Sequence, residues 1–201
     1  MKNPLAKKIL LLISFIEGGT LMAFEVLCAK IYTPYLGASI YVWTSILTVT
    51  LIGLAVGYWL GGRLSLKNSK KHLLYSLVGA GILVLLSTFI AKGALPALLP
   101  TDVKTASILS GFLILFFPVM LMGMVSPLII GSLNLMKNKL SSATGLVFGI
   151  GTVGGVIFLL VTTFVLIPTI GVIMSSYVLG GCLLLSAGLT FALKIEPNEE
   201  K

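Results

Sequence analysis

The sequence predicts an all-α, polytopic membrane protein with six transmembrane helices, and three observations carry that prediction. Hydrophobic residues make up 57% of the 201-residue chain and charged residues only 10%, where soluble domains carry about 25% charged residues. The apolar residues fall into six runs of the roughly 20-residue length that a helix needs to cross a bilayer. The basic residues behind the net charge of +8 gather between alternate runs, as membrane orientation signals do.

The first run, 9–32, follows Lys2, Lys7 and Lys8 and contains Glu17 and Glu25, with Lys30 near its end. The second, 40–62, opens with Tyr41 and Trp43 and closes with Tyr58 and Trp59. Trp43 to Trp59 rises about 24 Å as helix, which suits the two aromatic belts of one bilayer. Tyr32 and Tyr35 join the outer belt. Arg63, Lys67, Lys70 and Lys71 follow, with His72, the single histidine, read as solvated. The third run is 73–92. The fourth, 106–131, contains Pro118 and Pro127, which should bend it or loosen its hydrogen bonding, and it leads to Lys137 and Lys139. The fifth and sixth runs, 144–167 and 170–193, end at Lys194 and a polar tail, 195–201, that includes Lys201. The opposite side has only Lys30, Lys92 and Lys104. Residues 1–194 therefore read as one membrane domain with both termini and the tail cytoplasmic.

Several patterns are set aside on physical grounds. Cys28 and Cys182 lie far apart within apolar runs and read as small buried hydrophobes. Residues 149–154, GIGTVG, match a dinucleotide fingerprint in letters only; they sit within an apolar run, without the strand and following acid that the motif needs. Met120, Met122 and Met124 alternate and so split between helix faces, and no Cys or His pattern supports a metal. No basic stripe interleaved with aromatics suggests nucleic acid. No catalytic constellation or cofactor motif stands out, so neither an enzyme nor a cofactor is expected.

Glycines recur every four residues: Gly53, Gly57 and Gly61 in the second run, and Gly145 with Gly149, then Gly151 with Gly155, in the fifth. Small residues at this spacing let helix backbones approach closely. They predict tight packing of the second and fifth runs with each other or with a second copy of the chain.

Glu17 and Glu25 are the candidate site. Eight residues on a helix correspond to about 80° of rotation, so both can face one interior. Gly18 and Gly19 are expected to loosen the backbone beside Glu17. An acid at the bilayer centre costs about 2.5–3.5 kcal/mol, which marks it as a candidate for binding a cation or proton. Lys30 can snorkel to the surface as a gate or counter-charge, and Tyr41 and Trp43 form an outer aromatic rim. The competing reading makes Glu25 a hydrogen-bonded brace and Glu17 a buried acid without function.

The stretch 25–64, EVLCAKIYTPYLGASIYVWTSILTVTLIGLAVGYWLGGRL, together with 121–130 and 145–171, resembles the membrane portion of bacterial spermidine-synthase-like proteins, the fused major-facilitator/spermidine synthase family. Matching positions include Glu25, Pro34, Gly37, Ser39, Tyr41, Trp43, Gly57, Gly61, Gly62, Arg63 and Pro127, while Lys30 stands where the family has a basic residue. The resemblance implies half of a major facilitator in a bacterial inner membrane and suggests a polyamine-class cationic solute. The soluble aminopropyltransferase domain of many relatives is missing here, and Gly61 stands where the facilitator loop motif has an acid. Two roles are expected to compete. One is a transporter-like module, with a homodimer completing the path. The other is a scaffold whose basic segment, Arg63 to Lys71, docks a separately encoded soluble enzyme.

Overall fold

The structure is a computed structural model that describes residues 4–66, 68–137, 140–191 and 193. Lys2, Lys67, Lys139, Lys194, Lys201 and the tail at 195–201 lie outside the described residues. The fold is all-helical: α1 (Pro4–Leu36), α2 (Ile40–Leu64), α3 (Ser69–Leu98), α4 (Val103–Ser110), α5 (Phe117–Lys137), α6 (Leu140–Val161) and α7 (Ile167–Phe191), with π-helical segments at Gly111–Phe116 and Thr162–Leu166.

Short connections set the early topology. Gly37, at φ +75°, turns the chain out of α1. Ser39 then starts α2 by accepting the Val42 N–H at 3.4 Å. Asn68, at φ 47° and ψ 48°, precedes α3, and Asp102 caps α4 by accepting the Thr105 N–H at 3.1 Å. Three- and four-residue links join α1 to α2 and α2 to α3, but α2 packs chiefly on α5, and α3 on α7 and α5, rather than on each other.

Both π-helical segments end two residues before a proline, Pro118 or Pro168. Proline has no N–H for the carbonyl four residues back, and its ring crowds that carbonyl. The preceding turn widens in response, and the Ile167 N–H reaches Thr162 O, five residues back. The loosening expected at Pro118 takes this form. Pro127, by contrast, lies within the regular helix α5.

Glycines bring the long helices together. On α1, Gly18 packs against Gly151 of α6, Gly19 against Phe158, and Ser14 donates to the Val147 carbonyl at 2.9 Å. On α2, Gly53 meets Val119, Gly57 meets the Met120 carbonyl and Gly123, and Gly61 meets Met124, all of α5. On α3, Gly81 packs against Gly180 and Leu184 of α7, the Thr88 and Ser176 hydroxyls are 3.0 Å apart, and Lys70 Nζ donates to the Leu193 carbonyl.

This pattern corrects the expected packing. The second and fifth runs use their glycines on α5 and α1 respectively, so the α2 glycine face is already covered within the chain. Gly145 and Gly149 have no atom within 4 Å of where a Cβ would stand. Glycine spacing fixes which helix face can pack closely; it says nothing about which helix arrives there. Gly18 and Gly19, expected to loosen α1, are instead the positions where it touches α6.

Among the described residues, five helical stretches are long and apolar enough to cross a membrane: Leu5–Leu36, Ile40–Leu64, Ser69–Leu98, Val103–Leu133 and Ser142–Phe191. The last holds both the fifth and sixth apolar runs, and its helical dihedrals break at Gly171, with φ 78° and ψ 173°. Contacts on the two sides of that glycine run in different senses. Residue numbers rise along α6 as they rise along α1, from 14 against 147 to 22 against 155. Along α7 they fall as α3 rises, from 70 against 193 to 88 against 176. The outer surface is apolar, with Leu51, Phe89, Phe164 and Leu185 all exposed.

Candidate functional site: a buried acidic cavity

α1 carries Glu17 inward because Ser14, Gly18 and Leu21, on neighbouring turns, are the residues pressed against the bundle. Only 4% of Glu17 is exposed. Thirteen residues separate it from Pro4, about 20 Å along the helix. It lines a cavity of about 180 Å³ with Tyr58 of α2, Ser126 of α5, and Val147, Gly151 and Thr152 of α6. Gly18 and Gly151 line the same space, and their close backbone contact holds α1 against α6 beside it.

Among the described residues no hydrogen bond or ion pair engages the Glu17 carboxyl, and no Lys, Arg or His lines the cavity. A buried carboxylate is stable only with a partner. Here that partner must come from outside the described protein groups, as a proton, water or the cation of a ligand. The Ser126 and Tyr58 hydroxyls add hydrogen-bonding capacity to the same space.

Glu25 is elsewhere. It is half-buried and faces Thr50 of α2, whose buried Oγ1 completes no hydrogen bond of good geometry. Glu25, Lys30, Tyr41 and Trp43 do not line the Glu17 cavity. Lys30 is exposed. Tyr41 stacks under Lys104, whose ammonium is 5.2 Å from the ring centroid, and Trp43 is exposed on the apolar surface. His72 is half-buried rather than fully solvated, with a buried Nδ1 that lacks a partner. Of the residues singled out from sequence for the site, its backbone or its packing, the structure brings Glu17, Gly18, Gly151 and Gly155 to one cavity.

Tyr58 and Ser126 escaped the sequence reading for a reason. Tyr58 sits beside Trp59 and fits an interfacial belt, and Ser126 precedes Pro127 and fits a helix-bend repair. The one available signal for Ser126 was a hydroxyl in an otherwise apolar run.

No protein family, curated protein or solved structure matches the chain. The fold and cavity themselves define its class: an all-helical chain with several helices apolar enough to span a membrane, enclosing a buried acid in a small cavity.

Proposed function

We propose that this chain is a multi-pass membrane protein that binds a small cationic solute at Glu17, as a module of a transporter. The observation that carries the reading is the buried Glu17 carboxyl, facing a cavity that holds hydroxyls and no protein cation. An organic ammonium complements that carboxyl and those hydroxyls in charge and hydrogen bonding. In this proposal the chain crosses the bilayer six times, like half of a facilitator, because α6 runs with α1 while α7 runs against α3, with Gly171 between them. The side carrying Lys7, Lys8, Arg63, Lys70 and Lys71 would be cytoplasmic in a bacterial inner membrane. A polyamine-class solute follows from the family resemblance, and a second copy would complete a path too large for one bundle.

The experiment is amine uptake into proteoliposomes, with putrescine and spermidine, comparing wild type with Glu17→Gln and Glu25→Gln. Loss of uptake in Glu17→Gln, with Glu25→Gln less affected, supports the cavity as the cation site. Equal uptake by wild type and Glu17→Gln refutes it.

A further inference from the structure

We infer that the Glu17 cavity is reached through the lipid, and that its ligand is an amphipathic amine whose head enters the cavity while its apolar part stays in the bilayer. The inference rests on the cation reading of Glu17, adds the route, and puts an amine with an apolar part in place of the polyamine class.

The cavity wall is asymmetric. Its floor is buried: Glu17, Leu21, Ser126 and Val147. Its rim is exposed: Met22, Tyr58, Phe148, Thr152, whose hydroxyl donates to the Phe148 carbonyl of its own helix, and Val156, the last 54% exposed. None of the rim residues carries a charge. Their exposure belongs to the same apolar surface as the rest of α6, which in a membrane faces acyl chains rather than water. An opening bounded in this way admits what is dissolved in lipid.

Two of the rim side chains close on each other. The Tyr58 and Phe148 rings meet edge to face, with centroids 6.0 Å apart and planes at 88°. They reach from α2 and α6 respectively, on either side of the α1 face that carries Glu17. Such an aromatic pair is worth only about 0.5–1.5 kcal/mol beyond its burial, weak enough for rotamer changes to open it. Tyr58 is six residues from Leu64 at the helix end, about 9 Å, so the mouth lies in the leaflet on the side where α1 begins.

Size selects the ligand class. At about 180 Å³ the cavity is smaller than the ~300–1,000 Å³ typical of sites that enclose a whole small ligand. It accommodates a head group and leaves a tail outside. The head must offer N–H donors and positive charge to Glu17, and the tail must be at home among Met22, Phe148 and Val156.

The test uses the full chain in lipid nanodiscs and two carbodiimides, which take up a carboxylic acid as an O-acylisourea (the oxygen on the central carbon, the proton on nitrogen) that rearranges by O-to-N acyl shift to a stable N-acylurea. Dicyclohexylcarbodiimide is lipid-soluble; its counterpart is water-soluble and cationic. Modification of Glu17 is read by peptide mass spectrometry, with Glu17→Gln as the blank. Fixed charge is excluded from hydrocarbon, so the expected result is modification roughly tenfold or more faster with the lipid-soluble reagent. Phe148→Ala, by widening the mouth, should speed it severalfold. Dodecylamine should protect Glu17 at concentrations where butylamine does not. Equal or faster modification by the water-soluble reagent overturns the lipid route. So does no modification by either reagent in protein whose Cys28 stays shielded from thiol reagents. Lipid-selective modification that neither amine slows leaves the route standing and refutes the cation reading. Equal protection by both amines keeps the cation reading and refutes the amphipathic ligand.

Discussion

Replacing Gly57 by alanine tests the α2–α5 contact with a single methyl group. That methyl would meet the Met120 carbonyl and stand 3.0 and 3.1 Å from the Cα and carbonyl carbon of Gly123. Non-bonded carbons rest about 3.5–4.0 Å apart, and neither obstacle is a flexible side chain. The two helices must therefore separate by roughly 0.5–1 Å, a gap that forfeits a quarter to a half of each dispersion contact. The losses extend along the seam to Gly53 with Val119, Gly61 with Met124, and Gly123 with Leu54. The expected destabilisation is about 1–3 kcal/mol, the usual range for overpacking. Gly62→Ala is the control, because its Cβ meets nothing within 4 Å on the same helix, and it should gain up to about 1 kcal/mol in helix propensity. The two variants should thus differ by roughly 1–4 kcal/mol, a factor of about 5–700 in the folding equilibrium. Unfolding in detergent can be followed with a thiol-reactive dye in a Cys182→Ala background, where the fully buried Cys28 reports the opening of the bundle. If the two alanine variants unfold within about 0.5 kcal/mol of each other, less than overpacking costs, the α2–α5 packing argument is wrong.

Three further outcomes follow from other contacts. Gly171→Ala should destabilise by about 1–3 kcal/mol, because φ 78° with ψ 173° is backbone essentially reserved for glycine; unfolding at the wild-type midpoint would contradict this. Tyr32→Phe removes the hydroxyl that donates to the buried Ser110 carbonyl at 3.0 Å, just before the first π-helical segment, and should cost about 1 kcal/mol in the same dye assay; an unchanged midpoint would show that the bond contributes nothing. Hydrogen bonds from Thr105 hold the Asp102 carboxyl below the usual carboxylate range. Its contribution is therefore complete above the unfolded value of about 3.9 and is lost as pH falls through the lower, folded value. Asp102→Asn keeps a capping acceptor but does not titrate, so its thermal midpoint should fall less steeply than wild type in that acid window. Equal slopes would refute the assignment.

The helices were more legible than their arrangement. The apolar runs reappear as helix, the last of them as far as Phe191, because about 20 apolar residues leave few alternatives in lipid. The run at 40–62 matches Ile40–Leu64 closely, and the Ser39 cap that starts it is seen only in the structure. Only Pro168 and Thr169 separate the fifth and sixth runs in the sequence, and in the structure the helical dihedrals break at Gly171. The π-helical segments were half legible: Pro118 announced a disturbance, but widening of the turn before it depends on how the neighbouring helices hold the chain. Helix partners were not legible. The glycines of α2 say that some backbone comes close, while the identity of α5 as that backbone depends on Met120 and Gly123 lying at the right height. For the site, Glu17 stood out because an acid in an apolar run needs an explanation. Its companions Tyr58 and Ser126 lie 41 and 109 residues further along, and only the folded chain puts them together.

The parallel seam between α1 and α6 also sets a schedule for making the protein. Ser14 and its partner Val147 are 133 residues apart in the chain. At a synthesis rate of about 5–20 residues per second, α1 waits roughly 7–27 s for the helix that covers its glycine face. Gly57 and Gly123 are only 66 residues apart, so by the same rates α2 and α5 can join in roughly half that time. Throughout the interval α1 stands in the bilayer with Glu17 lacking its α6 cover. The earliest helix is thus among the last to be completed, and biogenesis has to protect its acid face until α6 is made.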